Sequence, residues 1–135
     1  VITTCLTHDE KGYPAMNAEA HEKLVRRLCD KILKNMPDII EYEERYMEDA
    51  DIVVITYGIP ARSALRAVKD ARKEGIKAGL LRLITVWPFY QEKIIELAGR
   101  TSALIVPEIN NGQIGRELER FAMGKTSVIS IPKFF

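Results

Sequence analysis

The chain has 135 residues, 20 of them basic and 19 acidic, and its formal net charge at pH 7 is +1. Hydrophobic residues make up 47% and charged residues 29%, a composition typical of a globular domain with a core. The balanced charge argues against a nucleic-acid-binding or membrane-surface protein, and no apolar run approaches the roughly 20 residues that span a bilayer. Cys5 and Cys29 cannot form a disulfide framework, so we expect a reducing, cytoplasmic setting.

The first helical pattern follows an irregular stretch, residues 1–17, that is rich in turn formers and charge. Asn17 is a suitable N-cap for this helix. The helix should stop before Pro37, because the residue that precedes a proline disfavours helical geometry. Its apolar residues recur at every fourth position, at Ala20, Leu24, Leu28 and Ile32. Residues 38–48 are less regular, and we interpret them as an extended segment and a candidate edge strand.

From residue 49 onward, strand and helix patterns alternate. The stretch 49–62, DADIVVITYGIPAR, has an apolar run followed by Gly58 and Pro60, which is typical of a buried strand that turns into a helix. Similar apolar runs begin near Ala78, Ala103 and Ser127. The three helical patterns between them end at Gly75, Gly99 and Gly124. This alternation predicts an α/β fold with a mainly parallel sheet and helices on both faces.

The stretch of residues 7–14, THDEKGYP, contains the first candidate for chemistry. His8, Asp9 and Glu10 could bind a metal or exchange protons, and they also suit a charged turn. We favour the turn, because a metal site needs further ligands. The other histidine, His21, lies among charged residues on what we expect to be a solvated helix face.

Motifs for nucleotides and nucleophilic catalysis are absent from the sequence. No GxGxxG follows a predicted strand, and no GxSxG or metal-anchoring Gly-Asp-Gly motif occurs. Residues 124–126, Gly-Lys-Thr, resemble the end of a phosphate loop but precede a strand, so we interpret them as a helix stop. We therefore assign no catalytic, cofactor-binding or metal-binding residue to this chain.

The residues that follow the predicted strands should lie together along one edge of the sheet, where α/β folds bind ligands. Asn110 or Asn111 could cap the helix that begins near Gly112 and leave backbone N–H groups free for an anion. This edge is either a binding or docking surface or a set of ordinary caps and turns. Its candidate residues are Gly58, Arg62, Trp87, Phe89, Asn110, Asn111 and Gln113.

Four segments in succession resemble a known family: THDEKGYP, DADIVVITYGIPARSALRAV, ITVWPF and VPEINNGQ. Their order and spacing are similar to the second domain of the alpha subunit of 2-oxoacid:ferredoxin oxidoreductases, and most similar to the 2-oxoglutarate group. The resemblance implies a three-layer α/β/α unit like the C-terminal domain of transketolase, with a mostly parallel mixed sheet of about five strands. It also implies that residues 1–17 link this domain, residues 18–135, to a missing upstream domain.

The resemblance further implies oxidative decarboxylation of a 2-oxoacid to an acyl-CoA, with electrons passed to ferredoxin. Thiamine diphosphate, Mg²⁺ and iron–sulfur clusters would serve this reaction in the complete enzyme, and none of their motifs maps onto this chain. The partners would be a beta subunit and other subunits, with ferredoxin and CoA acting through the complete enzyme. The domain itself would be structural and inactive alone.

Two other functions remain compatible with the sequence. A stand-alone doubly wound module could bind a small molecule or nucleotide at the edge near Gly58. A pure interaction protein could bury exposed aromatic residues such as Trp87 and Phe89, together with Phe134 and Phe135 at the chain end, against another subunit.

Overall fold

The computed structural model describes residues 6–133 of the chain, so Cys5, Phe134 and Phe135 lie outside the described part. The chain forms two compact units, Val1–Ile39 and Ile40–Phe135. Within the described part, none of the helices combines the length and the apolar character that crossing a membrane requires.

The first unit contains a short hairpin followed by two helices. Residues 7–15 are not irregular as predicted, because the backbone N–H of Ala15 donates to the Thr7 carbonyl and His8 pairs with Pro14 in an antiparallel bridge. Asp9 closes the turn, since its carboxylate accepts from the backbone N–H groups of Lys11 and Tyr13. The interpretation of this segment as a charged turn is therefore confirmed.

Helix α1 spans Ala18–Leu33, and its predicted cap is confirmed because the Asn17 side chain accepts from the backbone N–H of Ala20 at 2.8 Å. The helix ends before Pro37, as predicted. A separate helix, α2, spans Met36–Ile39 and contains Pro37 in its first turn, where a missing N–H group is tolerated. The prediction that the extended segment begins at residue 38 is therefore wrong.

The second unit is a five-stranded sheet with three helices. Its antiparallel strand β1 comes first, and the other four strands are parallel to one another, so the sheet is mixed. In chain order the elements are β1 Tyr42–Arg45, β2 Ile52–Tyr57, α3 Pro60–Lys73, β3 Ala78–Leu83, α4 Gln91–Arg100, β4 Ala103–Glu108, α5 Gln113–Ala122 and β5 Ser127–Pro132.

The strand order in the sheet is β1-β3-β2-β4-β5. β2 lies at the centre of the sheet and pairs with β3 from Ile52 to Tyr57, which confirms the buried strand predicted within residues 49–62. β1 is an edge strand and runs antiparallel to β3, which confirms the edge strand expected within residues 38–48. Because β2, β3 and β4 run in parallel, their carboxyl ends meet at one edge of the sheet.

The two faces of the sheet carry separate apolar clusters, so the unit has three layers. On one face, Val53, Ile55 and Leu104 pack with Ile94 of α4 and Leu118 of α5, and all five are fully buried. On the other face, Val68 of α3 packs with Leu80, Ala64 and the partly buried Val54. The α/β/α fold with helices on both faces is confirmed.

Two of the three predicted helix stops are confirmed. Gly75 and Gly124 follow α3 and α5 with φ values of +84° and +72°, which glycine adopts without strain. The stop at Gly99 is wrong, because α4 continues to Arg100. Thr101 ends the helix instead, since its backbone N–H and its hydroxyl both donate to the Leu97 carbonyl.

Candidate functional site

The carboxyl edge of the sheet is formed by the loops after β2, β3 and β4. After β2, Gly58 turns the chain with φ +58°, and Arg62 lies exposed in the first turn of α3. After β3, Trp87 is joined to Pro88 by a cis peptide and is 71% exposed, whereas Phe89 is partly buried and stacks on Phe121 at 5.6 Å. After β4, Asn110 is partly buried, and Asn111 and Gln113 are exposed.

A buried carboxyl group organises this edge. Glu108, the last residue of β4, is 1% exposed. Its Oε1 accepts from the backbone N–H of Ile114 at 2.9 Å, and its Oε2 accepts from the backbone N–H of Gly115 at 3.0 Å. The start of a helix leaves such N–H groups without partners in the helix and favours negative charge. Glu108 therefore caps α5 from the preceding strand.

The Glu108 side chain also joins β4 to β2. The Tyr57 hydroxyl donates to Glu108 Oε1 at 2.9 Å, and Asn110 Nδ2 donates to the Tyr57 hydroxyl oxygen at 2.6 Å. Burial, followed by the hydrogen bond to Glu108, raises the pKa of the Tyr57 hydroxyl above its usual value. The phenol consequently remains a donor to Glu108 over a wider range of alkaline pH.

The N-terminus of α5 is closed by the chain itself. Asn110 Oδ1 accepts from the backbone N–H of Gln113 at 3.0 Å, so of the two predicted candidates, Asn110 and Asn111, it is Asn110 that caps this helix. The further expectation that this end leaves its N–H groups free for an anion is wrong for Gln113, Ile114 and Gly115. Their donors are taken by Asn110 and Glu108.

A second polar group lies on the opposite face of the sheet, beneath α3. Arg82 of β3 is the register partner of both Thr56 in β2 and Glu43 in β1. Its Nη1 donates to Glu43 at 3.2 Å, and its side chain is 44% exposed. Among residues 6–133, the buried Arg82 Nε and Thr56 Oγ1 atoms have no hydrogen-bond partner. The three register partners Glu43, Arg82 and Thr56 thus place a cation near the carboxyl edge of the sheet.

The edge also exposes large apolar side chains, which we call the edge patch: Ile59, Ile84, Trp87 and Ile109. Ile59 is 80% exposed, although it directly precedes α3. Exposed apolar residues that cluster at one end of a fold are typical of a surface that contacts another protein. The edge patch thus combines apolar surface with the cations Arg62 and Arg82.

Sequence reasoning missed Tyr57, Arg82 and the capping role of Glu108. A signal for Arg82 was available, because it is a lone charged residue within the apolar run AGLLRL. Glu108 follows the same pattern at the end of ALIVPE. A charged side chain in a strand that is predicted to be buried needs an ion-pair or hydrogen-bond partner. The sequence therefore marks Arg82 and Glu108 as residues with a specific polar contact.

Among residues 6–133, no three His, Cys, Asp or Glu side chains are arranged to hold a metal ion. In the hairpin of the first unit, His8 Nδ1 lies 2.9 Å from the Asp9 carbonyl oxygen, and Glu10 pairs with Lys23. These side chains therefore stabilise the turn and its contact with α1.

Residues 50–133 match the family model of the pyruvate:ferredoxin oxidoreductase core domain II. The 2-oxoglutarate synthase subunit KorA of Methanothermobacter marburgensis is 49% identical over 134 residues, which cover 98% of this chain and 36% of KorA. The ketoisovalerate oxidoreductase subunit VorB of the same organism is 46% identical over 80 residues, covering 59% of this chain and 23% of VorB. The chain therefore spans about a third of the length of its KorA relative.

Two solved structures resemble this chain, one of them a 2-oxoacid:ferredoxin oxidoreductase. The 2-oxoglutarate:ferredoxin oxidoreductase from Magnetococcus marinus, determined with 2-oxoglutarate, coenzyme A and succinyl-CoA bound, superposes with a TM-score of 0.75 at 26% identity. That match covers 99% of this chain and 23% of the other. A split-gene transketolase, with a TM-score of 0.57 and 22% identity over 67% of this chain and 32% of its own, shares the fold.

The resemblance inferred from the four sequence segments is thus confirmed by sequence and by fold. The TM-scores show that both structural neighbours share the fold of this chain, in which β1 is the antiparallel edge strand of a five-stranded mixed sheet. With a family model that matches 84 of the 135 residues, from 50 to 133, this chain belongs to the pyruvate:ferredoxin oxidoreductase core domain II family.

Proposed function

We propose that this chain is the second domain of the alpha subunit of a 2-oxoglutarate:ferredoxin oxidoreductase. The observation that supports this most strongly is the 49% identity to KorA, which extends over 98% of the chain. The complete enzyme would oxidatively decarboxylate 2-oxoglutarate to its acyl-CoA and pass the electrons to ferredoxin. Residues 1–17 would then link this domain to an upstream domain, and the enzyme would reside in the cytoplasm.

The chain's own residues do not fit the cofactors of that reaction. An iron–sulfur cluster takes four thiolates, and the one described cysteine, Cys29, is exposed on α1. Residues 6–133 contain no grouped ligands for Mg²⁺, which would anchor thiamine diphosphate. We therefore assign the cofactor chemistry to other parts of the complete enzyme and derive no catalytic step through this chain.

The role that remains for this domain is assembly. The edge patch gives the sheet an apolar surface beside Arg62 and Arg82, and this combination suits a contact with another subunit. Of the seven candidate residues, Gly58, Arg62 and Trp87 lie at or beside the patch. Asn110 and Gln113 stabilise the α5 terminus, Phe89 packs inward, and Asn111 is exposed.

A turnover assay tests the claim that the domain is not catalytic alone. The purified chain is mixed with 2-oxoglutarate, CoA, thiamine diphosphate, Mg²⁺ and oxidised ferredoxin, and ferredoxin reduction is followed by absorbance. We expect no reduction above that of a sample without protein. Reduction that requires both 2-oxoglutarate and CoA would contradict the proposal.

The alternative of a stand-alone nucleotide-binding module receives less support from this geometry. Such a module would need free donors at the carboxyl edge, and Glu108 and Asn110 occupy those of α5. Calorimetry of the chain with flavin mononucleotide, ATP and CoA distinguishes the two functions. Micromolar binding of any of them would favour the module.

A further inference from the structure

At one point of the carboxyl edge, neighbouring strands lead into helices on opposite faces of the sheet. β2 lies beside β4. The loop after β2 leads into α3, which packs on one face, and the loop after β4 leads into α5, which packs on the other. Open α/β sheets bind ligands in the crevice outside such a pair of strands. The amino-terminal ends of α3 and α5 therefore lie where sheets of this kind bind ligands.

These two helix ends differ in their free donors. At α5, side chains already occupy the backbone N–H groups of the first three residues. At α3, no side chain caps the helix, and within residues 6–133 no group accepts from the backbone N–H of Gly58, Ile59 or Arg62. The start of α3 thus combines the positive end of a helix dipole with unoccupied donors.

The first turn of α3 also carries a positive charge where the helix dipole favours a negative one. The turn has no acidic residue, and Arg62 is exposed on it. Within residues 6–133, the ion pairs of α3 involve Arg66, Arg72 and Lys73, and Arg62 forms none. A bound anion would stabilise both the Arg62 guanidinium and the helix dipole at this end.

A buried hydroxyl without a partner lies beneath this turn. Thr56 is fully buried, and its Oγ1 has no hydrogen-bond partner in the described part of the chain. The adjacent Ile55 and Tyr57 pack in the cluster beneath α4 and α5, so the Thr56 side chain lies on the α3 face. Gly58 turns the chain two residues later, which places the hydroxyl under the start of α3. Because buried polar groups are nearly always satisfied, this hydroxyl indicates a missing partner at the same point.

Arg82 adds a second cation to the α3 face. It is the register partner of Thr56. Its Nη1 donates to Glu43, whereas its buried Nε has no partner among residues 6–133. The positive charge at this corner of the sheet is therefore only partly balanced by the described residues.

We propose that the amino-terminal end of α3 binds an oxyanion of a small molecule, a phosphate or a carboxylate. The backbone N–H groups of Gly58, Ile59 and Arg62 and the Arg62 guanidinium donate to its oxygens, and the Thr56 hydroxyl completes the base of the site. Both kinds of oxyanion offer the negative charge and the acceptors that these donors lack. This proposal does not depend on the function proposed above.

The first test is a titration of the full chain followed by the NMR signals of its backbone amides. Inorganic phosphate and acetate are added separately, at an ionic strength held constant with sodium chloride. We expect saturating shifts at Gly58, Ile59 and Arg62. The amides that open α5 should not shift, because their acceptors lie within the chain. They serve as the control within the same molecule.

Substitutions then assign the donors. Arg62→Gln should weaken binding at least about threefold, as expected for the loss of one partly solvated ion pair. Thr56→Val keeps the shape of the side chain, removes the hydroxyl and should weaken binding by a similar factor of about three. Arg116→Gln removes an exposed arginine from the first turn of α5 and should change the affinity less than about 1.5-fold. Circular dichroism should give the same helix content for all three variants.

The two anions distinguish the sources of the oxyanion. Saturation by phosphate alone would indicate a phosphate ester, saturation by acetate alone a carboxylate, and saturation by both an oxyanion of either kind. Each of these results supports the site. Absence of saturation with both anions would overturn the proposal. So would equal shifts at the starts of α3 and α5, equal effects of Arg62→Gln and Arg116→Gln, or unchanged binding by Thr56→Val.

Discussion

At the scale of a residue, Glu108 shows how a buried carboxyl group at the edge of a sheet can serve the structure. A buried carboxyl group beside a tyrosine and a helix terminus has the appearance of a catalytic group. Here two backbone N–H groups and the Tyr57 hydroxyl donate to its oxygens, so its hydrogen-bonding capacity serves α5 and β2. The sequence predicts a local cap by Asn110 or Asn111, and the structure selects Asn110. It does not predict the cap by Glu108, which depends on where α5 packs on β4.

The substitution Glu108→Gln should destabilise the fold. The amide nitrogen that replaces one oxygen would face a backbone N–H group, leaving a buried donor without a partner, at a cost of about 1–3 kcal/mol. Glu117→Gln makes the same chemical change on the more exposed side of α5 and should cost less than about 0.5 kcal/mol. Urea unfolding gives both values. Equal free energies of unfolding for the two variants would show that Glu108 does not hold α5.

Gly115 should not tolerate a methyl group. A Cβ atom there would lie 2.9 Å from Ser130 Oγ and 3.1 Å from Ser130 Cβ, so α5 or β5 would have to move. We expect Gly115→Ala to cost about 1–3 kcal/mol. Gly99→Ala is the control, because a Cβ atom at this helical glycine meets nothing within 4 Å, and it should stabilise α4 by up to about 1 kcal/mol. The Tm of thermal unfolding should fall for Gly115→Ala and rise for Gly99→Ala. A change of Tm in the same direction for both variants would refute the contact between Gly115 and Ser130.

At the scale of elements, the pattern of the sequence predicts the parallel strands and their helices well. The runs near Ile52, Ala78, Ala103 and Ser127 all begin strands. A strand covered on both faces is largely apolar, as β3 is, whereas β5 is an edge strand and largely exposed. The error at Gly99 has a physical cause. Glycine is favoured just past a helix but does not force a stop, and here the threonine after Arg100 supplies the closing bonds. The hairpin of residues 7–15 was missed because its bonds join backbone groups across a turn.

The edge patch gives a prediction for the carboxyl ends of the strands. Ile59→Asp should leave the isolated chain as stable as wild type, within about 0.5 kcal/mol, because the side chain is 80% exposed. If the proposed function is right, Ile59→Asp should weaken assembly with the proposed beta subunit at least about tenfold, measured by sedimentation, since a charge would be buried at the contact. Ile76→Asp, at an exposed position just before β3 and so at the other edge, is the matched control. Equal assembly of both variants would count against the edge patch as the interface.

At the scale of the whole molecule, the second unit is a three-layer α/β/α fold, and the chain spans about a third of the length of its KorA relative. The sheet and both apolar clusters are formed by residues 40–133. The family could be inferred from the order of four segments. The carboxyl edge could be named from the sequence as a possible docking surface. The exposure of Ile59, Ile84 and Ile109 could not be predicted, because it depends on how the loops after the strands fold.

The central proposal is that this domain serves assembly and that catalysis lies in other parts of the complete enzyme. We expect the choice of 2-oxoacid to lie in those other parts as well. Its most direct test is a chimera in which this chain replaces the matching stretch of Methanothermobacter marburgensis KorA, assembled with the other subunits of that enzyme. A second chimera carries the corresponding stretch of VorB, from the ketoisovalerate oxidoreductase. The measurement is CoA-dependent ferredoxin reduction with 2-oxoglutarate and with ketoisovalerate. The account predicts that both chimeras prefer 2-oxoglutarate, and a preference that follows the exchanged domain would contradict it.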